Sequence, residues 1–179
     1  MIGGSAGSFD VVCQILAALP ADFSLPIIIC LHRLKEIREG FVEALSLKSV
    51  LPVVEPYDKQ KIKGGFIYLA PANYHLYVSL YKQFNLSTEE VVNYSRPSID
   101  LTFHTVGYAY KTKALGIILS GANKDGAMGL KSLKRHGGTA IVQDVEEAKV
   151  KTMPEKAKEL TPIDQELKTN EIINLLNRI

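Results

Sequence analysis

The chain of 179 residues has 46% apolar and 22% charged side chains and a formal net charge of +2, the profile of one globular domain long enough to bury a core. So small a charge gives no ground for a nucleic-acid or membrane partner, no apolar run approaches the roughly 20 residues that span a bilayer, and no export signal is evident, so its expected place is the cytoplasm. Cys13 and Cys30 read as small core residues, not a disulfide, and the scattered His32, His75, His104 and His136 fit no metal spacing, so no metal site is expected.

From the start of the chain, Ile2-Gly3-Gly4-Ser5-Ala6-Gly7-Ser8 sets Ser5 among three glycines, ahead of an amphipathic helical pattern over residues 9–19 that Pro20 ends. Such a turn puts a hydroxyl beside the free N–H groups of a helix start, where negative charge on an oxygen is stabilised. Ser5 or Ser8 could equally act as a plain helix cap. A phosphate cradle is a further use of the turn, but neither Gly-Lys-Ser/Thr nor GxGxxG is present. Pro26-Ile27-Ile28-Ile29-Cys30-Leu31 is the pattern of a strand buried on both faces. Residues 38–48 look helical, Val53-Val54 and residues 66–69 form short strands, and residues 59–63 make a solvated basic loop. Residues 76–80 and 83–86 pair as a hairpin. Arg96-Pro97-Ser98 leads into a helix over 99–110, and 114–119 is a second buried strand. A loop over 121–125 precedes a helix over 127–136 stopped by Gly137-Gly138; then come a strand over 139–143 and helices over 154–160 and 169–178. This alternation implies an α/β fold: a doubly wound, mostly parallel sheet with helices on both faces in three layers, and a small antiparallel hairpin at one edge.

Ligands of such sheets bind at the carboxyl ends of the strands. Three polar groups follow apolar runs there: Ser5 after Met1-Ile2, His32 after residues 27–31, and Asp125 after Ile117-Ile118-Leu119 and the loop Ser120-Gly121-Ala122-Asn123-Lys124. A hydroxyl, an imidazole and a carboxylate on one rim are the parts of a nucleophilic triad. Serine needs a base, histidine titrates near neutrality, and a buried carboxylate fixes the imidazole tautomer. Taken singly, His32 also fits a hydrogen-bonded rim residue, and Asp125, before Gly126-Ala127, fits a helix N-cap. The order Ser, His, Asp differs from the Ser, Asp/Glu, His of α/β-hydrolases, although Gly3-Gly4-Ser5-Ala6-Gly7 has the form GxSxG.

Several segments together resemble the catalytic domain of the chemotaxis protein-glutamate methylesterases (CheB type), over nearly the whole chain. These are Ile2-Gly3-Gly4-Ser5-Ala6-Gly7, Leu31-His32, Gly65-Phe66-Ile67-Tyr68-Leu69-Ala70-Pro71 with His75, Arg96-Pro97-Ser98-Ile99-Asp100, Leu119-Ser120-Gly121-Ala122-Asn123-Lys124-Asp125-Gly126-Ala127-Met128-Gly129, and Gly137-Gly138-Thr139 through Gln143-Asp144 and Met153-Pro154. The resemblance implies that Ser5 is the nucleophile, His32 the base and acid, and Asp125 the orienting carboxylate, with Ala6, Gly7 and Ala122 around the oxyanion and substrate pocket. It implies demethylation of glutamate γ-methyl esters on the cytoplasmic helices of methyl-accepting chemoreceptors, within two-component signalling, and deamidation of glutamine at such sites. No cofactor or metal is implied. The sequence departs from the family at Ala6, Ser8 and Ala122, and in Arg33-Leu34-Lys35-Glu36-Ile37 after His32. These departures leave room for a non-catalytic binding or regulatory module of the same fold. Only four residues precede Ser5, so residues 1–179 read as a catalytic domain with a trimmed first strand and no receiver domain, either free or part of a larger signalling polypeptide.

Overall fold

The computed structural model describes residues 1–32 and 40–179. Its strands are β1 (Ile2–Gly4), β2 (Ile27–Leu31), β3 (Val53–Val54), β4 (Ile67–Leu69), β5 (His75–Val78), β6 (Phe84–Ser87), β7 (Leu115–Ile118), β8 (Thr139–Gln143) and β9 (Gln165–Leu167). The α-helices are α1 (Phe9–Ala17), α2 (Phe41–Ser46), α3 (Ile99–Tyr110), α4 (Ala127–Arg135), α5 (Thr152–Leu160) and α6 (Thr169–Leu176). The expected elements are present, with one addition, β9. The expected loop over 33–37, and Arg38 and Glu39 of the expected helix over 38–48, lie outside the described residues.

Seven strands form one parallel sheet in the order β3-β4-β2-β1-β7-β8-β9. The unbroken apolar runs are explained by burial on both faces. In β2, Ile27, Ile29 and Leu31 join Val12, Ile15 and Leu16 of α1, Leu45 of α2 and Ile172 of α6 on one side. Ile28 and Cys30 turn the other way, toward Ile99, Phe103 and Val106 of α3 and Leu130 of α4. Ile117 and Ile118 of β7 divide between the same two cores. Each such side chain contributes roughly 1.5–3 kcal/mol on burial, so these alternating rows hold the three layers together.

The hairpin β5–β6 is its own antiparallel sheet. It is fastened to α3 by Thr102 Oγ1, which donates to Leu76 O at 2.9 Å, and by Thr105 Oγ1, which accepts from Val78 N at 3.0 Å. The missed strand β9 has a largely exposed Gln165-Glu166-Leu167 face and pairs only with β8 at the sheet border. Its backbone makes the strand, and its side chains carry no apolar period that sequence reading could detect.

Helices α3 and α4 touch through glycine. A Cβ on Gly129 would lie 2.3 Å from the backbone oxygen of Asp100, and one on Gly107 would lie 2.5 Å from Leu133 Cα. Gly129→Ala gains at most about 1 kcal/mol of helix propensity. The clash is with backbone, so no rotamer relieves it, and it costs roughly 1–3 kcal/mol. The expected result is a lower urea midpoint at unchanged slope; an unchanged or raised midpoint would show that the helices can part without cost.

Candidate active site

β1 is the central strand, and it is very short. Its register with β2 pairs Gly4 with Leu31, so Ser5 and His32 each stand one residue past the last pair on adjacent parallel strands. The His32 N–H donates to Gly4 O at 3.2 Å and extends the ladder to this point. On the other side of β1 lies β7, where the chain's winding changes direction; crevices at such points hold ligands. The Ser5 N–H donates to Ser120 O at 2.9 Å, tying the turn to the end of β7.

The turn after β1 is packed tightly. Gly7 has φ +82° and Gly4 lies against Ser8, where an added Cβ would come within 2.6 Å of the hydroxyl. Ser8 opens α1 without capping it by side chain; its Oγ donates instead to Ser5 O at 2.6 Å. Buried Ser120 donates from Oγ to Ala6 O at 2.7 Å and accepts from Val150 N at 2.8 Å, while its own N–H donates to Gln143 Oε1 at 3.0 Å. Ser120 and Gln143 therefore brace the serine turn from beneath. Among the described residues, the N–H groups of Ala6 and Gly7 donate no hydrogen bond, and Ala6 is exposed. Ala122 is exposed on the loop after β7.

Asp125 is fully buried, and five donors converge on its carboxylate. Oδ2 accepts from His32 Nε2 at 2.8 Å and from Ile99 N at 2.7 Å. Oδ1 accepts from Asn93 Nδ2 at 3.0 Å, Ser98 Oγ at 3.0 Å and Asp100 N at 3.2 Å. The carboxylate thus sits at the N-terminus of α3, where free N–H groups and the helix dipole favour an anion. It does not cap its own helix. Gly126, at φ +101°, is the first residue of α4's cap, and Asp100 serves that helix, accepting from Gly126 N at 2.9 Å and Gly129 N at 2.6 Å. The two aspartates have exchanged helices, an arrangement that the close approach of α3 and α4 through Gly107 and Gly129 permits.

Burial pushes the Asp125 carboxyl up, but the hydrogen bonds from His32, Asn93 and Ile99 outweigh it and hold the group below the usual carboxylate range. Asp100 goes the other way. Burial, with the neighbouring Asp125 charge, raises it despite the Gly129 and Gly126 N–H groups. Ionised Asp125 can only accept, so His32 carries its proton on Nε2 and leaves a lone pair on Nδ1. That nitrogen faces Ser95 Oγ at 3.4 Å. The structure therefore brings His32 and Asp125 into contact and sets Ser5 beside them on the rim, with no hydrogen bond between Ser5 Oγ and the imidazole.

Asn93 and Ser95 were not singled out from the sequence, nor was the bracing pair Ser120 and Gln143. Asn93 and Ser95 stand at no motif position; Ser120 and Gln143 lie in family-like segments, but nothing in the sequence tells their bracing role, and the contacts that matter here, Asn93 to Asp125, Ser95 to His32 and Gln143 to Ser120, cross from one chain segment to another. His75 is structural: fully buried, it donates from Nε2 to Glu90 O at 2.9 Å and accepts on Nδ1 from Ser98 N at 3.2 Å, pinning the start of α3. Next along the rim is a polar cleft of about 580 Å³ lined by residues that include Glu55, Asn73, Tyr74 and Arg96. Among the described residues no group of histidine, cysteine and carboxylate side chains could hold a metal ion, and no helix is long and apolar enough to cross a membrane.

The sheet order and its covering helices define a doubly wound α/β protein, with a hydrogen-bonded imidazole–carboxylate pair at the carboxyl edge beside Ser5. The CheB methylesterase family model matches residues 1–176, and the chain belongs to that family. The crystal structure of the Thermotoga maritima CheB methylesterase catalytic domain is similar at a TM-score of 0.94 and 32% identity, covering 99% of this chain and 95% of that one. A Leptospira interrogans relative, provisionally named protein-glutamate methylesterase/protein-glutamine glutaminase, is 41% identical over 179 residues, 100% of this chain and 93% of that protein. The Thermotoga maritima protein of the same name is 34% identical over 161 residues, 86% of this chain but 46% of that protein.

Proposed function

We propose that the chain is the catalytic domain of a serine esterase of chemotaxis adaptation, which converts glutamate γ-methyl esters on chemoreceptor helices to glutamate and methanol. The observation that carries this reading is the His32 Nε2–Asp125 Oδ2 bond of 2.8 Å, made at the rim position that Ser5 shares. Ser5 Oγ attacks the ester carbonyl and passes its proton to His32 Nδ1, the nitrogen left basic by the Asp125 contact. Asp125 holds the ring and stabilises the imidazolium. The oxyanion is received by the Ala6 and Gly7 N–H groups, which have no other partner among the described residues. His32 returns the proton to methanol as it leaves. A water molecule, deprotonated by the same nitrogen, then releases the γ-carboxylate from Ser5. Glutamine follows the same course with ammonia as the leaving group. The setting is cytoplasmic, within two-component signalling.

The test is methanol release from methylated receptor by the purified chain, with a one-for-one gain of γ-carboxylate by mass. No release above the uncatalysed rate would reject the reading. The missing Ser5–His32 hydrogen bond favours the alternative, a binding module, which predicts receptor binding with the ester intact. Catalytic hydrogen bonds often close only around substrate, so the esterase remains the better account.

A further inference from the structure

We propose that Asn93 is a positioning residue for this site: its carboxamide separates two carboxylates and holds Asp125 ionised and aimed at His32. The inference rests on the esterase reading of Ser5, His32 and Asp125. One amide nitrogen donates both of its hydrogens, to Asp100 Oδ2 at 2.8 Å and to Asp125 Oδ1 at 3.0 Å. The Asn93 carboxamide is a neutral group that lies between two like charges and satisfies both. The charged or titratable groups around the pair are His32, from the end of β2, and the aspartates themselves; Ser98 Oγ and the Ile99, Asp100, Gly126 and Gly129 N–H groups complete the shell, with His75 behind Ser98.

The backbone points the same way. Residues 92–95 close a turn through Val92 N to Ser95 O at 3.2 Å and Ser95 N to Val92 O at 2.9 Å. Within it Asn93 has φ 50° and Tyr94 φ 60°. Left-handed backbone is disfavoured for an L-residue, least for asparagine. Tyr94 is 100% exposed and offsets none of this. What the turn delivers is Asn93 to the carboxylate and Ser95 to the imidazole, one on each side of the pair. Strain kept at such a place is a mark of function.

Asn93→Ala is expected to lower kcat at neutral pH at least tenfold with KM within twofold, and to move the acid limb of the kcat profile to higher pH, because Asp125 loses a bond that favours its ionised form. Asn93→Asp keeps the shape, replaces the donors by acceptors, and is expected to lose more at neutral pH. Urea unfolding followed by far-UV circular dichroism corrects each rate for the folded fraction. Asp100→Asn retains an oxygen for Gly126 and Gly129 and removes the like charge; added to Asn93→Ala it is expected to return the acid limb toward the wild-type position. A merely structural role predicts additive damage and no such return. The inference is overturned if Asn93→Ala and Asn93→Asp match wild type in kcat and acid limb, or change KM alone. Failure of the esterase reading is distinct, since the wild-type chain itself would then release no methanol.

Discussion

Ser5→Ala is expected to cut methanol release by at least about three orders of magnitude while leaving the fold intact. Removing the hydroxyl removes the atom that forms the acyl-enzyme; what remains is binding and oxyanion stabilisation, which typically leave a residual rate well above that of water. The cost to stability should stay within about 0.5 kcal/mol. Ser5 is only partly buried, and among the described residues its hydroxyl makes no hydrogen bond; the turn is held by backbone contacts to Ser120 and Ser8, which alanine keeps. Methanol assays at saturating receptor, paired with thermal melts, separate the two quantities. A variant within tenfold of wild type would remove Ser5 from the role of nucleophile. Loss of activity together with a collapsed melt would locate the residue's importance in folding instead.

Asp125→Asn is expected to damage both activity and stability. An asparagine offers one oxygen and one NH2 where the carboxylate offers two acceptors, and the five donors divide two and three between them. With NH2 at the Oδ2 position, the Ile99 N–H is left facing a donor, and His32 can pair only by moving its proton from Nε2 to Nδ1. The imidazole then holds the wrong tautomer and cannot take a proton from serine, at a cost of roughly 10³–10⁴ in kcat. With NH2 at the Oδ1 position, Asn93, Ser98 and the Asp100 N–H lose their acceptor. Either way buried donors go unpaired, and the expected loss at neutral pH is about 3–5 kcal/mol, read from urea unfolding.

The pH dependence of that loss has a definite sign. Asp125 lies below the usual carboxylate range in the folded chain, so its contribution is fully present above the unfolded value of about 4 and is lost as pH falls through the lower folded value. Asp100 lies above that range, so its charge opposes folding above the unfolded value, and acid relieves it. The stability gap between wild type and Asp125→Asn should therefore narrow in acid below about pH 4. A gap constant down to pH 2 would mean that Asp125 is not the ionised hub of the site.

The helix and strand pattern was legible because the sheet is buried on both faces: residues 27–31 and 114–119 had to be apolar throughout, and the helices between them amphipathic. β9 was not legible, since an edge strand is made by backbone pairing and places no demand on Gln165 or Glu166. The candidate site was legible in part for the same reason. Polar residues that directly follow buried strands must gather at one rim, which marked Ser5, His32 and Asp125 together.

The sequence by itself determined the layers, the rim, and the three chemical types standing on it, because periodic burial writes itself into residue order. Only the tertiary structure decided how Asp125 is used. Taken locally it is a helix cap for α4; folded, it caps α3, with Asp100 returning the service, because α3 and α4 approach closely through Gly107 and Gly129 and each presents its start to the other's carboxylate. Asn93, Ser95, Ser120 and Gln143 came from the same level. A hydrogen bond between segments tens of residues apart leaves no period and no required spacing in the chain, so those contacts exist only once the sheet and its helices have closed around them.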